Sequence, residues 1–223
     1  MTARATLPSA AAADTLALAD GTRLSLRQVG AGDRAGFAAL FAGLTPESRY
    51  QRFLSPKSEL TPRELTFFTD VDRVNHEAIA AVDQRDDSIV GVARYVRDAT
   101  RADVAELAIE VADAFQRMGI GTALTILMIQ HAHASGLKSL TATTLWENRA
   151  ARGLLRHHGF RARRSRGPEI EHELKLEELT PREAAWVPLT DVGSVHPSAP
   201  ASNQHTNTTP TRHRRGSRGA ELT

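Results

Sequence analysis

The sequence predicts an α/β (α+β) domain built on one mixed, mostly antiparallel sheet flanked by helices. Three observations carry this prediction. Residues 76–83 and 88–96 are apolar strand segments flanking the turn Gln84-Arg85-Asp86-Asp87, which makes an antiparallel hairpin. Val104 to Val111 adds a third strand to that meander. Beyond it, strand and helix alternate, which reads as βαβ crossovers joined to the meander in one mixed sheet.

In chain order, Thr22 to Val29 alternates like a strand, with Leu24 and Leu26 on one face. Residues 35–44 are helical, with Asp33 placed to cap them. Thr45-Pro46-Glu47 and Thr61-Pro62-Arg63-Glu64 each read as an N-cap, a proline in the first turn and an acid, so two short helices begin there. After the meander, residues 121–135 form an apolar helix that stops at Gly136. Residues 139–146 are a strand, 148–158 a helix ending at Gly159, and GFRARRS and EIEHELKL two closing strands. Residues 1–18 are rich in Ala, Ser and Thr and read as unfolded. The domain spans 19–180, and 181–223 is an extension whose composition is that of disorder from about residue 194.

Composition bounds the function classes. The formal net charge of +2 over 223 residues commits the chain to neither nucleic acid nor a membrane surface. There are only three lysines (Lys57, Lys138 and Lys175), so arginine carries most of the positive charge. There is no cysteine, which excludes disulfides, thiolate metal sites and cysteine nucleophiles. No apolar run has the length of a membrane span, and the N-terminus makes a poor signal peptide, being broken by Pro8 and Asp14. A cytoplasmic protein is expected. His131 and His133 are two apart on a helix and face different directions, so no metal site is expected. The arginines of the tail (Arg212, Arg214, Arg215, Arg218) read as a solvated segment rather than a nucleic-acid contact.

The stretch QRMGIGTAL, residues 116–124, sets Gly119 and Gly121 between a strand and a long apolar helix. Glycine there costs roughly 1 kcal/mol per residue of helix stability against alanine. Bare backbone N–H groups at the positive end of a helix make an anion site, most simply for phosphate, and Arg117 adds a charged donor beside it. The same spacing also describes a tight turn with no ligand. A second glycine run, VGAGDRAGF at 29–37, lacks an acidic residue at the end of a following parallel strand and is not read as a dinucleotide site.

IEVADAFQRMGIGTAL resembles the acyl-CoA motif of the GNAT superfamily of N-acetyltransferases, and WENRAARGLLRHHGF resembles that family's second hallmark, Asn-x-x-Ala-x-x-Leu ending in Gly-Phe. The likeness covers roughly residues 20–180. The segments LTPESRYQRFLSP and ELTPRELTFFTDVDRVNHEAIAAVD are similar, in addition, to the GNAT domain of bacterial protein-lysine acetyltransferases.

The resemblance implies acetyl-CoA as co-substrate and a primary amine, above all a protein lysine, as acceptor. It implies that Ile109 and Val111 present backbone groups to the pantetheine arm. It places the pyrophosphate on Gln116, Arg117, Met118, Gly119, Ile120, Gly121 and Thr122, and brings Asn148 to the pantetheine side, although Asn148 also reads as an ordinary helix N-cap. A lysine amine is free in only about 0.04 % of molecules at pH 7, so a base is useful. Glu106 matches the family's base position and is favoured over Glu110, which alternation puts on the same face about 13 Å away. The family's usual tyrosine acid is replaced by Leu155; either the thiolate leaves unassisted, or a group such as Tyr50 or Tyr95 serves. The alternatives are a small-molecule amine acetyltransferase and a non-catalytic acyl-CoA sensor.

Overall fold

The computed structural model describes residues 14–179. The strands are β1 (Asp14–Ala17), β2 (Arg23–Gln28), β3 (His76–Asp83), β4 (Ile89–Arg97), β5 (Val104–Val111), β6 (Ser139–Leu145), β7 (Arg161–Arg166) and β8 (Glu169–Lys175). The helices are α1 (Arg34–Gly43), α2 (Pro46–Phe53), α3 (Pro62–Thr69), α4 (Ile120–Ala134) and α5 (Arg149–His157), with single-turn helices between some elements. All eight strands join one sheet in the order β1-β2-β3-β4-β5-β6-β8-β7. Every neighbouring pair is antiparallel except β5 and β6, which run parallel because α4 carries the chain back between them. The mixed sheet flanked by helices is as the sequence predicts.

Alternation along the strands sorts side chains into two layers. Ile79, Ala81, Ala93, Tyr95 and Leu107 face α4, which buries Ile120, Leu124, Leu127 and Met128 against them. Ala78, Ala80, Val82, Ile89 and Val92 face the other way, against Phe37 and Leu40 of α1 and Phe68 of α3. Each fully buried large side chain contributes about 1.5–3 kcal/mol of transfer free energy.

The Thr-Pro signals act as read. The Thr45 hydroxyl accepts the Ser48 N–H at 3.2 Å. At α3, Thr61 accepts the Glu64 N–H while the Glu64 carboxylate accepts the Thr61 N–H at 2.9 Å, a closed capping box.

Two expectations are corrected. The segment read as unfolded at 1–18 includes β1, whose register on β2 pairs Asp14 with Leu26 and Ala17 with Arg23. DTLA has too short an apolar pattern to announce a strand, and its order comes from the β2 edge. Asp33 does not cap α1; its carboxylate accepts the Gly30 N–H at 2.8 Å and pairs with Arg27 at 2.7 Å. The expectations for 1–13 and 180–223 lie outside the described residues.

Candidate active site

Strands β5 and β6 stay paired over only three positions, Val104 with Ser139, Ala105 with Leu140 and Glu106 with Thr141. Beyond Glu106 they part. A cleft of about 700 Å³ opens there, lined by β5 from Glu106 to Val111, the turn after it, Ser48, Gln51 and Arg52 of α2, and the start of α5. The Ala112 N–H reaches the Val90 carbonyl, and the Asp98 N–H the Val104 carbonyl. By the period of two in an antiparallel ladder, Glu106, Ala108 and Glu110 bond β4, so the N–H and C=O of Ile109 and Val111 point into the gap. Their side chains meanwhile pack on the core beneath α4. The Val111 carbonyl accepts the Gln116 side-chain amide at 3.2 Å.

The two glycines have different reasons to be there. Gly119 sits at φ +88, which an L side chain rarely adopts, while a Cβ there would meet nothing within 4 Å. Gly121 has an ordinary backbone, but its Cβ would lie 3.3 Å from Leu154 Cδ2, so it lets α4 approach α5 closely. No side chain caps the first turn of α4, which leaves N–H groups and the positive dipole end for an anion. Gln116, Arg117, Gly119, Gly121 and Thr122 line the cleft. Met118 and Ile120 instead turn their side chains into the core, so they have only backbone to offer.

Asn148 is the N-cap of α5: its Oδ1 accepts the Ala151 N–H at 2.9 Å. It lines the cleft as well, and its amide NH₂ stays available because capping uses only the oxygen. The two readings of Asn148 are compatible.

The two glutamates of β5 differ sharply. Glu106 is exposed at the point where the strands part, with the Thr143 hydroxyl 3.5 Å from its carboxylate. Glu110 is 6 % exposed and lies between Arg52 at 3.2 Å and Arg94 at 3.6 Å. Arg94 also donates to the Phe68 carbonyl at 2.9 Å and stacks over the Phe68 ring. Burial pushes its guanidinium down to about 10, against the upward pull of Glu110, so it remains a cation at neutral pH. Glu110 is the counterion of two arginines.

Neither tyrosine lines the cleft. Tyr95 is fully buried and its hydroxyl meets Ser135 Oγ at 3.0 Å, at the far end of α4. Tyr50 lies on α2 but outside the lining, whereas Leu155, though buried against the core, does line the cleft. Sequence reading passed over Ser48, Arg52, Asp113 and Thr143. The signal for Asp113 is an acid just ahead of the glycine turn, but two of its partners, Thr45 and Ser48, are more than sixty residues away.

Among the described residues, no group of three or more His, Cys, Asp or Glu is placed to hold a metal ion. No helix among them is long and apolar enough to cross a membrane.

Comparison with known proteins agrees with this geometry. The family model described as "Acetyltransferase (GNAT) family" matches residues 44–160, more than half of the chain. An acetyltransferase of Pseudomonas aeruginosa is 28 % identical over 163 residues, covering 71 % of this chain and 87 % of that protein. The acetyltransferase Pat of Mycolicibacterium smegmatis is 30 % identical over 109 residues, which is 49 % of this chain but only 32 % of Pat. Among solved structures, the GNAT domain of S. lividans PAT superposes with a TM-score of 0.67 at 25 % identity, covering 72 % of this chain and 95 % of that one. Salmonella typhimurium yncA, solved with its cofactor acetyl-CoA, shares the fold at a TM-score of 0.58 and 15 % identity, over 70 % of this chain and 95 % of its own. An open β5–β6 gap, a glycine turn at a helix N-terminus and a family match across both are one result: the chain belongs to the GNAT family and is an acetyltransferase.

Proposed function

We propose that the protein transfers the acetyl group of acetyl-CoA to the primary amine of a protein lysine. The observation that carries this reading is the position of Glu106, exposed at the apex of the β5–β6 gap, with the glycine turn at the gap's other end. The pyrophosphate meets the N–H groups of residues 116–122 and the Arg117 side chain, and the pantetheine arm runs beside Ile109, Val111 and Asn148. Glu106, directly or through a water, takes the ammonium proton. The amine nitrogen then attacks the thioester carbon, and the N–H of Ile109 faces the developing oxyanion. Collapse breaks the C–S bond, and the new amide nitrogen gives up its second proton to solvent. With no tyrosine on the cleft wall, the CoA thiolate leaves without a tyrosine acid and takes its proton from solvent.

The protein-lysine acceptor is supported by likeness to S. lividans PAT and to mycobacterial Pat, of which this chain matches 32 % of the length. A small polycationic acceptor is less well served. The cleft adjoining Thr143 is lined by Arg164 and Arg166 as well as Glu169 and Glu171, so it offers no net acid. The lack of a tyrosine acid favours one second reading, a silent acyl-CoA sensor. A cytoplasmic setting accompanies the proposed acceptor.

The absence of cysteine supplies the test. With the thiols already present in each lysate fraction subtracted, a thiol reagent reports CoA released from acetyl-CoA, because the protein adds no thiol of its own. Release driven by a protein fraction of bacterial lysate, and reduced about 10²–10⁴-fold in Glu106→Gln, is the expected result. Release driven only by small amines would move the acceptor class. Binding of acetyl-CoA without release would leave the sensor.

A further inference from the structure

α2 forms one wall of the cleft, yet it buries none of its own residues fully; only Phe53, at its end, leans on the core. Eight residues do not hold a helix by themselves in water, so α2 depends on ties from elsewhere. Midway along, Arg49 donates to the Ala42 and Ser58 carbonyls at 2.8 and 2.9 Å, and toward the C-terminal end the tie is Arg52 to Glu110. At its N-terminal end it is one carboxylate: Asp113 accepts the Thr45 N–H at 2.7 Å and the Ser48 hydroxyl at 2.5 Å. The same carboxylate accepts the Gln116 amide at 3.0 Å, and that amide also donates to the Val111 carbonyl at 3.2 Å. A continuous polar chain therefore runs from the first turn of α2, through Asp113, to the turn and strand that face the donor.

We propose that Asp113 is a positioning residue that couples occupancy of the glycine turn to the placement of α2, so that acyl-CoA binding orders the α2 wall of the cleft. This rests on the reading of residues 116–122 as the pyrophosphate site. A ligand that fixes Gln116 and the turn fixes the carboxylate, and the fixed carboxylate satisfies the otherwise open donors of Thr45 and Ser48. By linkage the effect is reciprocal: an acceptor that orders α2 tightens the turn around the donor.

Hydrogen exchange on the full chain, with CoA as a non-transferring probe, tests this. In the wild type, CoA slows exchange at 116–122 and, by about tenfold, at 46–53. Asp113→Asn keeps the shape but replaces one acceptor oxygen with a donor NH₂, which faces either the Thr45 N–H or the Ser48 hydroxyl and Gln116 amide. In that variant CoA still slows 116–122 and no longer slows 46–53. Ser48→Ala removes one of the two ties to α2, leaves Gln116 held, and weakens the slowing at 46–53 without changing that at 116–122, which keeps the test open if Asp113→Asn folds poorly. A merely structural Asp113 would loosen α2 equally with and without CoA, which overturns the proposal. Undiminished slowing of 46–53 in both variants also overturns it, since the ligand then touches α2 directly. Slowing of 116–122 alone in the wild type removes the coupling but keeps the donor site. No slowing at 116–122 removes both.

Discussion

Arg52 and Glu110 lie 3.2 Å apart, and they are the point where α2 meets β5 inside the cleft. Because Arg94 shares the same carboxylate, Glu110 neutralises part of a positive cluster rather than standing free in the cleft. Removing the charge leaves two guanidiniums uncompensated. Glu110→Gln is therefore expected to cost about 3–5 kcal/mol in denaturant unfolding. Glu106→Gln, on an exposed side chain, is expected to leave stability within about 0.5 kcal/mol while abolishing most turnover. If the two variants exchanged these phenotypes, the assignment of roles on β5 would be wrong.

The two glycines predict different defects. Gly119→Ala forces a side chain onto φ +88 and is expected to cost about 1–2 kcal/mol of stability. Gly121→Ala has ordinary backbone but brings a methyl to 3.3 Å from Leu154, so helix α4 or α5 must give slightly. Its expected signature is weaker acetyl-CoA binding with little change in the unfolding midpoint. Calorimetric titration beside thermal unfolding separates the two.

At Asn148 the cap and the free amide are separable. Asn148→Asp keeps an oxygen for the Ala151 N–H and is expected to hold α5 while raising the KM for acetyl-CoA. Asn148→Ala loses both, with about 1 kcal/mol of stability gone as well. Equal KM values for Asp and Asn at this position would assign the residue to capping alone.

Stability is expected to fall between pH 6.5 and pH 4. Burial pushes both His76 and His158 down to about 4, with Arg94 adding to the effect at His76 and His157 at His158. A histidine whose folded pKa lies below its unfolded value binds its proton mainly in the unfolded chain. Its stabilisation is thus complete above about pH 6.5 and is lost as pH falls toward 4. Carboxylates such as Glu64, held down to about 2 by Lys57, act mainly below that window. Chemical unfolding at stepped pH checks this. The slope between pH 6.5 and 4 is expected to flatten in His76→Gln and further in the double variant with His158→Gln.

Local signals made most of the fold legible. The Thr-Pro caps at Thr45 and Thr61, the hairpin turn and the glycine turn are all short-range chemistry, and each lies where the sequence puts it. β1 was not legible, because its order is borrowed from β2. Asp33 has the right spacing for a cap, but Arg27, six residues away, competes for its carboxylate. In the site, alternation put Glu106 and Glu110 on one face and could go no further. What separates them is a pair of arginines from α2 and β4, brought in by folding. Asp113 was hidden for the same reason, since its role depends on Thr45 and Ser48.

The sheet is continuous in strand order, yet mechanically it is two leaves joined by three rungs, Val104 to Glu106 against Ser139 to Thr141. The joint of those leaves carries Glu106. Their spread at the open end is gauged by α4 resting on α5, where Gly121 meets Leu154. A change in bulk at that spacer therefore acts like a wedge at the end of the slot opposite Glu106, on the same turn that lines the cleft.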